Sequence, residues 1–350
     1  MAYTTIDNPG LYFNTKIYTG TGSSNALTGI GFQPDWVWNK SRSATGDQAL
    51  TDSVRGVTKE INSSDGSAEE TVAQGLTEFG SDGFTVGSDG SYNANSTTYA
   101  AWCWKAGTTA SGSTSGSGTA KTFSRSTSTT SGFSIVKYVG NATANHQFPH
   151  GLGVKPDMVW IKNLTDGTTN WQGYNSDLTA TKSFKLNSTD APATTNSVTN
   201  DVEPTATVFN LGSAGDANGN NQNHIAYLFA SIQGYSKIGT YTGNGSTDGT
   251  FVYTGFKPAW LLTKRTDSSS SGNWNISDNK RDPSNVITQI LFADDTQSEI
   301  TASNVYDYCS NGFKVRETGA GTNASGSVYM YMAFADSPFV NSNKVPTNAR

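Results

Sequence analysis

The sequence predicts an all-β protein made of three tandem, divergent copies of one β-sandwich module. Two features of composition and one of order carry that prediction. Charged residues are 15% of the 350, against about 25% in ordinary soluble domains. Aromatic residues reach 11%, and Gly, Ser, Thr and Asn fill much of the remainder. Large side chains for cross-strand contact, joined by polar turns, make the composition of short strands. The aromatic content and small net charge argue against disorder.

The feature of order is an internal repeat. The first copy reads Lys16-Ile17-Tyr18-Thr19-Gly20, then Gln33-Pro34-Asp35-Trp36-Val37-Trp38-Asn39-Lys40. The second reads Val136-Lys137-Tyr138-Val139-Gly140, then Lys155-Pro156-Asp157-Met158-Val159-Trp160-Ile161-Lys162. The third reads Gly239-Thr240-Tyr241-Thr242-Gly243, then Lys257-Pro258-Ala259-Trp260-Leu261-Leu262-Thr263-Lys264. From Tyr18 to Pro34, Tyr138 to Pro156 and Tyr241 to Pro258 the separations are 16, 18 and 17 residues. Each copy closes on an apolar run ending at Trp104, Phe229 or Phe334, which lies 70, 73 or 76 residues after its proline.

Each part has a physical reading. The Tyr-Thr-Gly phrase ends a first strand, with glycine free to take the positive φ of a turn. Proline lacks an N–H and so precedes a strand instead of lying within one. The runs Trp36-Val37-Trp38 and Met158-Val159-Trp160-Ile161, and the closing runs, are apolar at odd and even positions. A strand apolar on both faces must be covered on both. Asp82-Gly83-Phe84 and Asn311-Gly312-Phe313 predict tight turns leading into strands. The middle copy has Thr207-Val208-Phe209-Asn210-Leu211 without the turn.

The predicted organisation is module one over 1–106, a Ser/Thr/Gly-rich flexible or extended linker over 107–132, module two over 133–234 and module three over 235–350. Modules two and three, with almost no spacer, are expected to pack together. One short helix is expected near 68–76.

Net charge is −5 and the pI is near 5.2, with lysine and arginine scattered, so no basic patch for nucleic acid is visible. No run approaches the ~20 apolar residues of a membrane-spanning helix. The N-terminal residues lack the charged and apolar regions of a signal peptide, and synthesis in a cytoplasm with release by lysis is expected. Cys103 and Cys309 fall at non-equivalent positions and read as free, buried thiols.

The phrases Ala2-Tyr3-Thr4-Thr5-Ile6-Asp7, Gln33-Pro34-Asp35-Trp36-Val37-Trp38, Asp52-Ser53-Val54-Arg55-Gly56 and Asp82-Gly83-Phe84-Thr85-Val86-Gly87 carry a further likeness. So do Trp102-Cys103-Trp104-Lys105-Ala106-Gly107, His150-Gly151-Leu152-Gly153 and Gly234-Tyr235-Ser236-Lys237. Gly243-Asn244-Gly245-Ser246 and Tyr331-Met332-Ala333-Phe334-Ala335-Asp336-Ser337-Pro338-Phe339 complete it. Together they resemble a family of uncharacterised repeat modules in virion structural proteins of marine bacteriophages, including phages of cyanobacteria. The resemblance covers nearly the whole chain apart from the linker. It implies concanavalin A-like or jelly-roll sandwiches. It also implies a virion role as tail fibre, head fibre or capsid decoration, with other virion proteins as partners. A homo-oligomer is expected, with a trimer favoured as in fibres. The resemblance implies no activity and no binding residue.

No catalytic constellation stands out, so the chain reads as a non-enzyme without cofactor. No Gly-x-Ser-x-Gly elbow occurs, and the seven glutamates form no evident pair for glycoside hydrolysis. His146, His150 and His224 lack a third ligand at metal spacing and read as turn or packing residues. The Asp-rich turns lack the fixed spacing of an EF-hand, so no metal ligands are assigned.

The second function class is a glycan-binding adhesin recognising host surface polysaccharide. Its candidate residues are Trp171, Tyr174 and Trp274, because aromatic platforms beside Asn and Gln suit the C–H faces and hydroxyl edges of sugars. Trp171 and Trp274 lie 15 and 16 residues after their prolines. Repetition at equivalent positions is also what a core residue shows.

Overall fold

The computed structural model describes residues 3–270 and 272–339. The outermost positions expected for modules one and three, 1–2 and 340–350, lie outside the described residues.

In the first segment the strands are β1 (Phe13–Thr19), β2 (Asn25–Thr28), β3 (Trp36–Ser41), β4 (Gln48–Asp52), β5 (Lys59–Glu60), β6 (Glu70–Thr71), β7 (Leu76–Gly80), β8 (Gly83–Val86) and β9 (Thr98–Trp104). A one-turn helix, α1 (Gly90–Asn93), precedes β9. The middle segment holds β10 (Thr108–Ser113), β11 (Ser115–Gly116), β12 (Thr122–Ser128), β13 (Phe133–Val139), β14 (His146–Pro149), β15 (Met158–Asn163) and β16 (Gln172–Asn175). It continues with β17 (Lys182–Ser183), β18 (Ala193–Thr194), β19 (Val208–Leu211), the helix α2 (Gly215–Asn218) and β20 (Asn223–Phe229). The last segment has β21 (Ser236–Thr242), β22 (Phe251–Tyr253), β23 (Phe256–Arg265), β24 (Asn275–Asp278), β25 (Ile287–Phe292), β26 (Ile300–Cys309), β27 (Gly312–Val315) and β28 (Val328–Pro338).

The protein is all-β, and one strand order recurs in its three segments. The main sheets run β1-β9-β3-β4, β13-β20-β15-β16 and β21-β28-β23-β24. In each, the closing apolar strand lies between the first strand and the strand at the proline. Its alternate residues enter the shared core on one face and the segment's own apolar layer on the other, which is why it is apolar on both. Pro34 and Pro156 precede their strands, but Pro258 lies within β23, at a register shift in its pairing with β28, which corrects the expectation for the third copy. The pairs Trp36↔Trp104, Met158↔Phe229 and Trp260↔Phe334 give equivalent registers. A smaller set of strands lies over one face of each main sheet: β2-β8-β7, β14-β19, and β22-β27-β26. In the last segment the two sets join as one eight-stranded sheet. Its end strands are bridged by Lys237 Nζ donating to the Tyr253 carbonyl at 3.1 Å.

The glycines after the first strands are required by close approach and not by positive φ, contrary to the turn reading. A Cβ on Gly20 would lie 2.1 Å from the Ala94 carbonyl oxygen. On Gly140 and Gly243 it would lie 2.4 Å from the carbonyls of Gly219 and Ala324.

Between main and small sheets each segment has its own apolar layer, for example Leu27, Val37, Phe84 and Cys103 in the first. The other faces of the three main sheets meet in one shared core containing Trp36, Trp104, Trp160, Phe229, Trp260 and Phe334. Ring pairs cross all three junctions. Trp36 lies 4.5 Å from Tyr227, Trp104 lies 5.6 Å from Trp260, and Phe229 lies 6.1 Å from Phe334. Such pairs contribute about 0.5–1.5 kcal/mol each beyond area burial. The first segment is therefore packed into the same core as the other two, not held apart by a linker.

Two expectations are corrected here. Residues 107–132 are not a structureless linker, because β10, β11 and β12 lie within them. Strand β12 pairs with β13, and β11 pairs with β14. Ser, Thr and Gly show no hydrophobic period, yet their backbones satisfy two edges that the middle segment would otherwise leave open. The stretch 68–76 is not helical. It contains β6 and a turn before β7, and Gly75 packs against the Tyr92 ring, where a Cβ would lie 2.9 Å away.

Candidate functional site

Trp171 and Trp274 are buried, with 0% and 1% exposure, and Tyr174 is equally buried at 1%. None of the three can stack on a sugar in this structure. Trp171 donates from Nε1 to the Asn62 carbonyl at 2.7 Å, and Trp274 donates to the Lys185 carbonyl at 3.0 Å. Each bond joins one segment to the segment before it. The third equivalent position is Gln48, whose Nε2 donates to the Phe292 carbonyl. The strand registers make Asn62, Lys185 and Phe292 equivalent as well. The bonds thus run in a closed cycle: first segment to third, second to first, third to second. Tyr174 serves locally, donating to Glu203 at 2.5 Å.

A second cycle uses the lysines that follow the proline strands. Lys40, Lys162 and Lys264 are fully buried. Lys40 Nζ reaches the Thr296 carbonyl at 2.9 Å, Lys162 that of Gly66 at 2.9 Å, and Lys264 that of Thr189 at 2.8 Å. The direction of travel matches the first cycle. Burial pulls all three ammonium groups down to about 8, with neighbouring aspartates opposing it.

A third set is incomplete. Asp52 and Arg55 form a buried ion pair at 2.5 Å, and Asp278 and Arg281 one at 2.6 Å. Tyr227 from the second segment donates to Asp52 at 2.7 Å, and Trp102 from the first donates to Asp278 at 3.0 Å. At the third junction the equivalents are Asn175, Leu178 and Met332. Met332 cannot donate, no arginine is present, and Asn175 Nδ2 has no hydrogen-bond partner. Charge and donor are lost together there, as expected because half of a buried ion pair is worse than none.

The three histidines also lie in the interior. His146 contacts Asn218 at 3.0 Å and Thr114 at 2.7 Å. His150 reaches the Thr205 carbonyl at 3.3 Å, and His224 stacks on Tyr138 with ring centres 5.2 Å apart. Burial lowers all three, to about 4 for His150 and His224, so these rings stay neutral near neutral pH. Cys103 is buried and its thiol is pushed up by desolvation. Cys309 is only half-buried, which corrects the expectation of two buried thiols. Among the described residues no group of three or more His, Cys, Asp and Glu could hold a metal ion.

A cleft of about 740 Å³ lies where β10 and β12 overhang the first segment. Gln33, Ser53, Lys105, Thr109, Ser111 and Ser124 line it. Asp35 also borders it, but its carboxylate already accepts from Ser53 Oγ and the Ala106 amide, both at 2.8 Å. The lining offers hydroxyls, the Lys105 ammonium group and the Arg125 guanidinium, a surface for polar contact.

Sequence reasoning missed the residues that repeat most strictly. Asn93, Asn218 and Asn323 are fully buried and lie 11 residues before Trp104, Phe229 and Phe334. Each accepts from the backbone after the first strand, through Thr21, Asn141 and Asn244 at 2.8–2.9 Å. That constant spacing was the signal that could have found them. The six-residue step from each proline to Lys40, Lys162 and Lys264 was another.

No curated protein and no solved structure matches the chain. A family described as Domain of unknown function (DUF7483) matches residues 8–338, a span that takes in all three copies of the strand order and the hairpin between the first two. The chain belongs to the DUF7483 family.

Proposed function

We propose that this chain is a bacteriophage virion structural protein, a fibre, appendage or capsid decoration, built from three concanavalin A-like β-sandwich modules. It acts by assembly and surface contact, without catalysis. One observation carries this reading. The repeated donors Gln48, Trp171 and Trp274 and the repeated lysines Lys40, Lys162 and Lys264 are buried and join one segment to the next. The resemblance of the repeats to phage virion modules supports the location.

The experiment is immunogold electron microscopy with antiserum to the purified chain, applied to particles banded from a lysate of the source culture. Label at a constant position on the particles is expected. Antigen confined to the soluble fraction would overturn the reading. A glycan-binding role would have to use the hydroxyl-lined cleft, since Trp171, Tyr174 and Trp274 are out of reach. A host polysaccharide array with the purified chain tests it, and binding there abolished by Lys105→Glu is the result that would favour it.

A further inference from the structure

We propose that the open edge of β10 pairs antiparallel with β10 of a second copy, joining two chains through one continuous sheet. The argument starts from how each copy closes its first-strand edge. In the first segment Lys16 Nζ reaches across from β1 to the Thr28 carbonyl at 2.7 Å. In the last, Lys237 does the same from β21 to Tyr253. The middle segment has Val136 and Ser134 at the positions equivalent to Lys16 and Lys237, and its Lys137, one residue out of that phase on β13, faces the other side of the sheet. Its edge is covered by β12 instead, which moves the opening outward to β10. Strand β10 ends the order β10-β12-β13-β20-β15-β16, and no backbone hydrogen bond joins its outer side to another strand among the described residues.

Edge strands in monomeric proteins are normally protected by lysine, proline or a bulge. Strand β10, Thr-Thr-Ala-Ser-Gly-Ser, has none of these, and five of its six residues are exposed. Its pairing with β12 is regular throughout. The Thr114 amide donates to the Lys121 carbonyl at 2.7 Å, which sets the alternation of the ladder. By that alternation, Thr109, Ser111 and Ser113 point their N–H and C=O groups away from β12.

The occupant is a second copy on grounds of charge and closure. Residues 107–120 hold no Asp, Glu, Lys or Arg, so two such strands meet without repulsion although each chain carries −5. An antiparallel β10–β10 pair is twofold, uses both free edges and leaves none open. Threefold repetition is already present within one chain, so this association is a dimer and not the trimer expected for a fibre. The inference goes beyond the virion reading and does not depend on it.

Sedimentation velocity of the full chain over a wide concentration range tests it, together with Ser111→Pro and Ser111→Lys. Proline is tolerated on an edge strand where its N–H would face outward, so Ser111→Pro removes the central donor without unfolding β10. Unchanged melting of each variant checks that. A concentration-dependent dimer is expected, weakened roughly tenfold or more by either substitution. A chain that stays monomeric, forms a trimer, or dimerises equally in both folded variants would overturn the proposal.

Discussion

Removing the Tyr227 hydroxyl is a clean test of whether the junction bonds hold the segments together. Tyr227 donates to Asp52 Oδ2 at 2.7 Å and accepts from Arg55 Nη2 at 3.3 Å. All three side chains are buried, and the two partners belong to a different segment. Phenylalanine keeps the ring contacts with Trp36 and Trp171 and deletes only the oxygen. A hydrogen bond to a charged group contributes roughly 1.5–3 kcal/mol. Asp52 Oδ2 keeps Arg55 Nε at 2.5 Å, so Tyr227→Phe is expected to cost about 2 kcal/mol. Asp52→Asn removes the closer counter-charge of Arg55, leaving only Glu69 at 3.4 Å, and costs about 3 kcal/mol. In the double variant the tyrosine effect shrinks, giving a coupling of about 1–2 kcal/mol. Urea unfolding of the four proteins measures this. A loss below about 0.5 kcal/mol for Tyr227→Phe, or strict additivity, would refute the reasoning.

Three further outcomes follow from the buried titratable groups. Lys40, Lys162 and Lys264 bind their protons more weakly folded than unfolded. Their contribution to stability is therefore full above the unfolded value near 10.5 and is lost as pH falls through about 8. Lysine Nζ resonances should show three groups titrating near 8, and absence of any group below the ordinary range would contradict the buried assignment. Burial raises Glu60 to about 7, and its Oε2 has no hydrogen-bond partner. Its contribution is full below the unfolded value and is lost as pH rises through 7. Glu60→Gln should therefore stabilise the chain at pH 8 and leave it unchanged at pH 4; equal effects at both pH values would refute this. A thiol reagent should label Cys309 in the native chain and Cys103 only after unfolding, whereas native labelling of Cys103 would contradict its place between the sheets.

The all-β class was legible, as were the strands at each proline and the strands that close each segment, because local pattern and spacing carry them, although Pro258 lies inside its strand. The partner of each buried face was not. Trp171 and Trp274 looked like a possible sugar platform because nothing local distinguishes an indole facing solvent from one aimed at a carbonyl 89 to 109 residues away. Gln48, their equivalent, shares no chemistry with tryptophan beyond an N–H donor, so alignment by residue type hides the set. The hairpin 107–128 was unreadable for a related reason. Its order comes from the edges of β13 and β14, not from its own side chains. The lysines stood in plain view in the repeated phrases, but a lysine after an apolar run reads as a strand end reaching solvent. Only the meeting of three segments turns that end inward.

Scanning calorimetry of the purified chain tests the central claim, that the three segments are locked into one body by their shared core and the cycles of junction bonds. The account predicts a single transition whose calorimetric and van't Hoff enthalpies agree. Two or three resolved transitions, each carrying part of the enthalpy, would show segments unfolding independently and would contradict it.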